Sequence, residues 1–286
     1  MTYLISDLHG YDPVKLARLL KSAEITPDDS IYVLGDVIDR GTYGLELLSW
    51  VSKIAQAEIF EEYIERRKLV RRESDGTLTV LDRDGYDLVK WLMKVKVKGF
   101  ILGNHENMML ESEAMFAEIT EYTVSQVTDR YSAAWSRWMI NGGDVTVSEI
   151  KRFVRGKKER VEYIWNMLDF IAELPVYLEI EAGERKYLLV HAGLGDYSPE
   201  KPLEDYTLHD LVWKRPKIDT VYEGDRTVVF GHTPTLYLSR APQHYGKVIK
   251  GRGWLCIDTG AAAGLSPALV CLEESTVYYG EKHEDI

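Results

Sequence analysis

Five short segments of this chain gather residue types that hold metal ions: "DLHG" (7–10), "GDVIDRG" (35–41), "GNHE" (103–106), "HAGLG" (191–195) and "GHTPT" (231–235). Four of the seven histidines, His9, His105, His191 and His232, lie in them, with Asp7, Asp36, Asp39 and Asn104. Imidazole, carboxylate and amide oxygen without thiolate suit borderline to hard divalent ions such as Mn, Fe, Zn or Co. The donors outnumber the ligands of one tetrahedral ion. Two ions are therefore expected, and a shared carboxylate would let them approach to about 3.5–4 Å. The glycines beside the donors allow tight turns and close backbone approach.

Each segment follows an apolar run: "YLIS", "IYVL", "FIL", "YLLV" and "VVF". The runs are nearly continuous, which predicts strands buried on both faces. In open α/β sheets the loops at the carboxyl ends of strands line the ligand crevice, so segments far apart in the chain can meet. Taken singly, "DLHG", "HAG" and "GHT" read as ordinary loop polarity, and "GDVIDRG" is more specific. Their recurrence behind five strands is what points to a site.

The elements between them alternate. Residues 2–6 read as a strand. "DPVKLARLLKSAEI" reads as a helix with Asp12 as N-cap and Pro13 at its first position. "IYVLGD" is a strand and "GLELLSWVSKIAQA" an amphipathic helix. This order predicts an α/β fold. Residues 57–96 are less regular. They hold a charged helix-like piece, "EEYIERRKLVRR", a hairpin around Asp75-Gly76 and a helix containing "YDLVKWLMKV". Residues 107–173 read as mainly helical, with Trp and Met in "SAAWSRWMIN" and "VEYIWNMLDFIAEL" taken as packing residues, a partner or substrate groove being the lesser reading. After Pro175 the chain is strand-rich.

Bulk properties narrow the class. A chain of 286 residues with 45% hydrophobic residues can bury a sizeable core. A formal charge of −11 argues against nucleic acid and anionic membrane as partners. No run is long enough for a membrane helix. A first strand from Thr2 leaves no room for a signal peptide, so a cytoplasmic location is expected. Cys256 and Cys271 sit in strand-like runs and are expected as buried core thiols, with no disulfide framework or zinc knuckle. His209 is read as a helix or loop residue, His283 as part of a polar tail, and His244 as a candidate for the site's edge.

With these residues in view, the sequence resembles the phosphoprotein phosphatase family of metallophosphoesterases, and most of all its compact bacterial and phage members. The family motifs D-x-H-G, G-D-x-x-D-R-G, G-N-H-E, H-A-G and G-H-T occur here in order, from residue 7 to 233. The resemblance implies a calcineurin-like sandwich of two mixed β-sheets flanked by helices. A single domain over 1–286 is expected; the stretches before "GNHE" and "HAG", about 57–96 and 107–173, are longer than in the compact members and are expected to form a cap or side wall. The resemblance implies two divalent ions, manganese first. One would be held by Asp7, His9 and Asp36, the other by Asp36, Asn104, His191 and His232. His105 would be the general acid, oriented by Asp39. Arg40 would bind phosphate, with Arg215 in "LVWKRP" the best match for a second phosphate-binding arginine. Glu106 would serve a ligand or loop and not a metal.

The implied reaction is in-line attack on phosphorus by a hydroxide bridging the two ions. His105 would protonate the leaving oxygen, and Arg40 would grip phosphate through its fork. The substrate expected is phosphoserine or phosphothreonine in proteins, or a small phosphoester. A dinucleoside polyphosphate such as diadenosine tetraphosphate is the alternative. The branch of relatives that cleaves it symmetrically commonly replaces the second Asp of "GDVIDRG", which is present here as Asp39. A non-catalytic scaffold on the same fold is the alternative of another class, and the retained His105 and ligands speak against it.

Overall fold

The computed structural model describes residues 1–116, 129–280 and 282–285. The stretch 117–128 of the expected second insertion lies outside the described residues. Two mixed sheets face each other. The first runs in the order β13 (Lys282–Asp285), β12 (Thr276–Tyr279), β11 (Leu269–Cys271), β1 (Thr2–Ile5), β2 (Ser30–Val33), β5 (Val97–Phe100). The second runs β6 (Tyr177–Ala182), β7 (Arg185–Val190), β8 (Arg226–Phe230), β10 (Trp254–Cys256), β9 (Ile249–Gly251). A small hairpin pairs β3 (Val70–Arg72) with β4 (Leu78–Val80), turning at Gly76 as the Asp75-Gly76 signal predicts.

Within each sheet three neighbouring strands are parallel: β1, β2 and β5 in one, β7, β8 and β10 in the other. Side chains alternate along them with a period of two. Leu4, Tyr32, Leu189, Val229 and Leu255 fill the space between the sheets. Tyr3, Ile5, Ile31 and Val33 face the helices that cover the first sheet. Leu188, Val190, Val228, Phe230 and Trp254 form a third apolar layer on the far side of the second sheet. Strands buried on both faces explain why the runs read as continuous and not alternating.

The helices over the first sheet are α1 (Pro13–Ser22), α2 (Gly44–Ser52), α3 (Gln56–Arg66), α4 (Arg83–Leu92), α5 (Asn104–Glu111), α6 (Asp129–Trp138), α7 (Asp144–Val154) and α8 (Val161–Ala172). Asp12 caps α1 as expected, accepting from the Val14 N–H at 2.9 Å. Short helices α9 (Leu208–Val212) and α10 (Thr235–Leu238) lie on the side of the second sheet, and α9 carries His209.

Three expectations change. The helix expected from "GLELLSWVSKIAQA" breaks into α2 and α3, with Lys53 and Ala55 in the left-handed region. The cause is tertiary: Lys53 Nζ donates to the carbonyls of Met93 and Val95, at 3.1 and 2.9 Å. The charged run "EEYIERRKLVRR" is shared between α3 and β3. His283 does not sit in a loose tail. Its backbone belongs to β13, which pairs antiparallel with β12 and covers that strand's open edge. Cys256 and Cys271 are buried free thiols. Among the described residues no helix is long and apolar enough to cross a membrane.

Candidate active site

The parallel strands of both sheets deliver the polar segments to one place. Asp7 follows β1, Asp36 follows β2, Asn104 follows β5, His191 follows β7 and His232 follows β8. All five are buried, as are His9, Asp39 and His105. The turns that carry them are strained. Asp7, His9, Asp36, Asp39, Arg40 and His232 have φ between 43° and 69° without being glycine. Such a backbone costs about 1–3 kcal/mol per residue and persists only where surrounding contacts enforce it. At Gly35 (φ +87°) a Cβ would meet Gly103 Cα and His191 Nδ1, each at 2.6 Å. Only a residue without a side chain lets these strand ends approach so closely.

Glu106 accounts for one set of enforcing contacts. From the first turn of α5 its carboxylate accepts from the N–H groups of Asp36 and Val37, at 2.8 and 2.9 Å. It therefore belongs to the loop, and Asp36 keeps its own oxygens for other partners. Asp36 Oδ1 accepts from the His105 N–H at 3.0 Å. Asp36 Oδ2 lies 3.6 Å from His9 Nε2 and 3.4 Å from His191 Nε2. The same carboxylate belongs to two sets of mutually close donor atoms, one with His9 and His105, the other with His191 and His232, each within 4.8 Å.

The hydrogen bonds of the imidazoles fix which ring nitrogens face the pocket. His191 Nδ1 faces the Leu34 carbonyl at 2.7 Å, and His9 Nδ1 faces the Ile38 carbonyl at 3.1 Å. Each must donate there, which turns its Nε2 toward Asp36. His232 lies between two acceptors, Asn104 Oδ1 at 2.8 Å from Nδ1 and the Trp213 carbonyl at 3.0 Å from Nε2. A neutral imidazole has one proton and leaves a lone pair against an oxygen on one side or the other. His191 Nε2 approaches the same Asn104 oxygen at 3.1 Å. Two imidazoles, an amide and a carboxylate converge, a donor set that fits a divalent cation once the imidazole nitrogens facing it are deprotonated.

Asp7 completes the pocket from behind. Its carboxylate accepts from the His232 N–H at 3.0 Å and from the hydroxyl of Ser6. It is absent from both close donor sets, in one of which His105 stands beside His9. His105, however, is committed elsewhere. Its Nδ1 donates to Asp39 Oδ2 at 2.6 Å, and its Nε2 accepts from Arg40 Nη2 at 3.0 Å. Arg40 Nη1 donates in the same way to His9 Nε2 at 3.1 Å. Arg215 is exposed, and its positive charge is felt at His232. His244 bonds Ser239 Oγ at 2.7 Å within a turn of its own.

Sequence reasoning missed two partners of Asp39. Trp138 Nε1 donates to Oδ2 at 2.8 Å and Thr146 Oγ1 donates to Oδ1 at 2.6 Å. Trp138 is one of the aromatics read as packing. The available signal was the Gly142-Gly143 pair inside a helical pattern, which marks a close approach of backbone to something else.

The charges in the pocket are strongly coupled. Burial alone would lower the His191 pKa, but Asp36 and Asp7 outweigh it and push it up to about 10. Burial and the neighbouring His191 push His232 down to about 3. Burial opposes the charge of His105 too, and Asp36 and Asp39 raise it above the ordinary imidazole range. At neutral pH the ion-free pocket therefore holds a proton on His191, and a cation bound there must displace it. Divalent-metal affinity is expected to rise with pH between 6 and 9. Binding at pH 7.5 should release about one proton, read by calorimetry in buffers of different ionisation enthalpy. Binding without proton release would show that a cation does not displace the His191 proton.

Comparison with known proteins adds a family. A family model described as calcineurin-like phosphoesterase matches residues 2–249. The chain is 23% identical over 268 residues to serine/threonine-protein phosphatase 1 of Salmonella typhimurium (strain LT2), covering 92% of this chain and 87% of that protein. It is 41% identical over 58 residues to the symmetrical bis(5'-nucleosyl)-tetraphosphatase of the same strain, a match that spans 20% of each. Among solved structures, the cold-active protein-tyrosine phosphatase of a psychrophilic Shewanella aligns over 99% of this chain and 79% of its own, at 15% identity and a TM-score of 0.48.

Proposed function

Since the chain belongs to the calcineurin-like phosphoesterase family, we propose that it is a two-metal phosphoester hydrolase that removes phosphate from serine and threonine residues of proteins. The observation that carries the hydrolase reading is the Asp36 carboxylate shared by two donor sets beside a buried His105–Asp39 pair. Asp7, His9 and Asp36 would hold one ion, and Asp36, Asn104, His191 and His232 the other. Manganese suits these donors, as do iron, zinc and cobalt. When bound, the ions would neutralise phosphate oxygens and make a water nucleophilic near neutral pH.

The remaining work falls to side chains of the chain itself. The Arg40 fork, which meets two imidazole nitrogens 3.1 and 3.0 Å away, has the geometry to meet two phosphate oxygens instead. Leaving the imidazoles for phosphate also frees His105 Nε2. With Nδ1 held by Asp39, a proton on Nε2 is aimed at the leaving oxygen, and the negative charge of Asp39 stabilises that protonated form. Arg215 would add a second cation on the side of His232. Asp7 is assigned to the metal and His105 to the proton because the latter's ring is fixed by Asp39. On this reading residues 1–286 act as one domain, with the helical insertion 107–173 as a wall of the site.

The choice of phosphoprotein is supported by the similarity to serine/threonine-protein phosphatase 1, which runs through 92% of the chain, and by the presence of Asp39. The higher identity to a dinucleoside tetraphosphatase favours a second reading, hydrolysis of dinucleoside polyphosphates, over a span of 58 residues. The test is a side-by-side assay of the manganese-loaded protein on phosphoserine and phosphothreonine peptides and on diadenosine tetraphosphate. We expect kcat/KM to favour the peptides by about tenfold or more, a margin of ~1.4 kcal/mol in transition-state binding. Faster cleavage of the dinucleotide would give the site to the second reading.

A further inference from the structure

The bend at residues 138–146 grips both members of the Asp39-Arg40 pair. The chain leaves α6 at Trp138, kinks at Gly142, whose φ of 101° is not helical, and starts a new helix at Asp144. The two ends of the bend reach Asp39. Trp138 Nε1 donates to Oδ2 at 2.8 Å, the oxygen that also accepts from His105 Nδ1 at 2.6 Å. Thr146 Oγ1 donates to Oδ1 at 2.6 Å and accepts from the Asp39 N–H at 3.0 Å. The middle of the bend takes Arg40. The Gly142 carbonyl accepts from its N–H at 3.2 Å and the Asn141 carbonyl from its Nε at 3.4 Å.

The close fit depends on the paired glycines. A Cβ on Gly142 would meet Arg40 Cγ at 2.8 Å, and one on Gly143 would meet the Trp138 indole at 2.6 Å. Gly142 also has φ +101°, open mainly to glycine. Asp39 and Arg40 both have left-handed backbones, at φ 69° and 64°, which the bend's contacts help to hold. Trp138 is itself locked, fully buried and stacked on Phe116 at 5.8 Å between ring centres. A plain wall would need apolar contact only. This one spends two buried donors on one carboxylate.

We infer that Trp138 and Thr146 are positioning residues: they orient the Asp39 carboxylate so that it aims His105, which makes the helical insertion part of the proton-delivery machinery. This rests on His105 being the proton donor, as proposed above. With either donor removed, Asp39 keeps its charge but gains freedom to rotate. His105 then loses its aim, and only substrates whose leaving oxygen needs the proton should suffer.

The experiment compares p-nitrophenyl phosphate, whose leaving group needs little protonation, with a phosphoserine peptide, whose alkoxide needs it. Thr146→Val and Trp138→Phe are expected to lower kcat on the peptide about 10- to 100-fold, in the range found when partners of site residues are removed. The aryl ester should change less than about threefold, with metal content as in the parent. Thr146→Ser should restore the peptide rate. Thr146→Val preserves shape and leaves the indole in place, so it decides the matter if Trp138→Phe fails to fold. An equal loss on both substrates, a parallel loss of metal, or no loss at all would overturn the inference. His105→Asn in the same assay keeps the two claims apart. If it shows no preference between leaving groups, the assignment of His105 as acid fails, and the inference with it.

Discussion

Asp36→Asn is expected to lose bound metal and nearly all hydrolysis together. The carboxylate is buried and spans the pocket, with Oδ2 3.6 Å from His9 Nε2 and 3.4 Å from His191 Nε2. An amide of the same shape can still accept from the His105 N–H, so the fold around α5 should survive. It brings no negative charge, and with its one oxygen on the His105 N–H it turns an NH2 toward His9 and His191 in place of Oδ2. Two bound metals would contribute several kcal/mol of transition-state stabilisation. The expected fall in kcat/KM is therefore about 10³-fold or more, with fewer than two ions per chain by elemental analysis. A variant that keeps both ions and most of its activity would take Asp36 out of the bridging role.

His105→Asn should separate from it cleanly. The residue faces the same pocket from the first turn of α5, but its Nδ1 is spent on Asp39 and its Nε2 on Arg40. Removing the ring should leave Asn104, His191 and His232 where they are. Metal content is expected to match the parent while kcat falls about 10²- to 10⁴-fold, the range for loss of a positioned proton donor. If both variants lose metal equally, His105 is a ligand, as its closeness to His9 and Asp36 would allow, and the division of roles is wrong.

Much of the frame was legible in the sequence because burial on both faces leaves a strong trace. Runs such as "IYVL" and "YLLV" leave no polar face, so they had to be interior strands, and each stopped at donors. What stayed hidden was set by contacts across long stretches of chain. The break after α2 depends on Lys53 reaching carbonyls of Met93 and Val95, and nothing near Lys53 announces it. The hold on Asp39 comes from Trp138 and Thr146, 99 and 107 residues away. A tryptophan that packs and a tryptophan that also donates to a buried carboxylate look alike in a helical pattern. Glu106 was legible only as a residue serving a ligand or loop and not a metal. Its partners are the N–H groups of Asp36 and Val37, in the loop after β2.

The separate contributions of Asp7 and Arg215 follow the same logic. Asp7 carries its charge next to Asp36 and His191, and burial with the Asp36 charge raises its pKa to about 6. A cation in the pocket would hold it ionised. Arg215 is exposed and acts on His232 only through its charge, so its role depends on where substrate lies.

The claim beneath all of this is that one carboxylate joins two cations. The most direct measurement is anomalous scattering from a crystal of the protein loaded with manganese. Two peaks about 3.5–4 Å apart, with Asp36 between them and His191 and His232 on one side, are expected. A single peak, or peaks lying away from Asp36, would contradict the account.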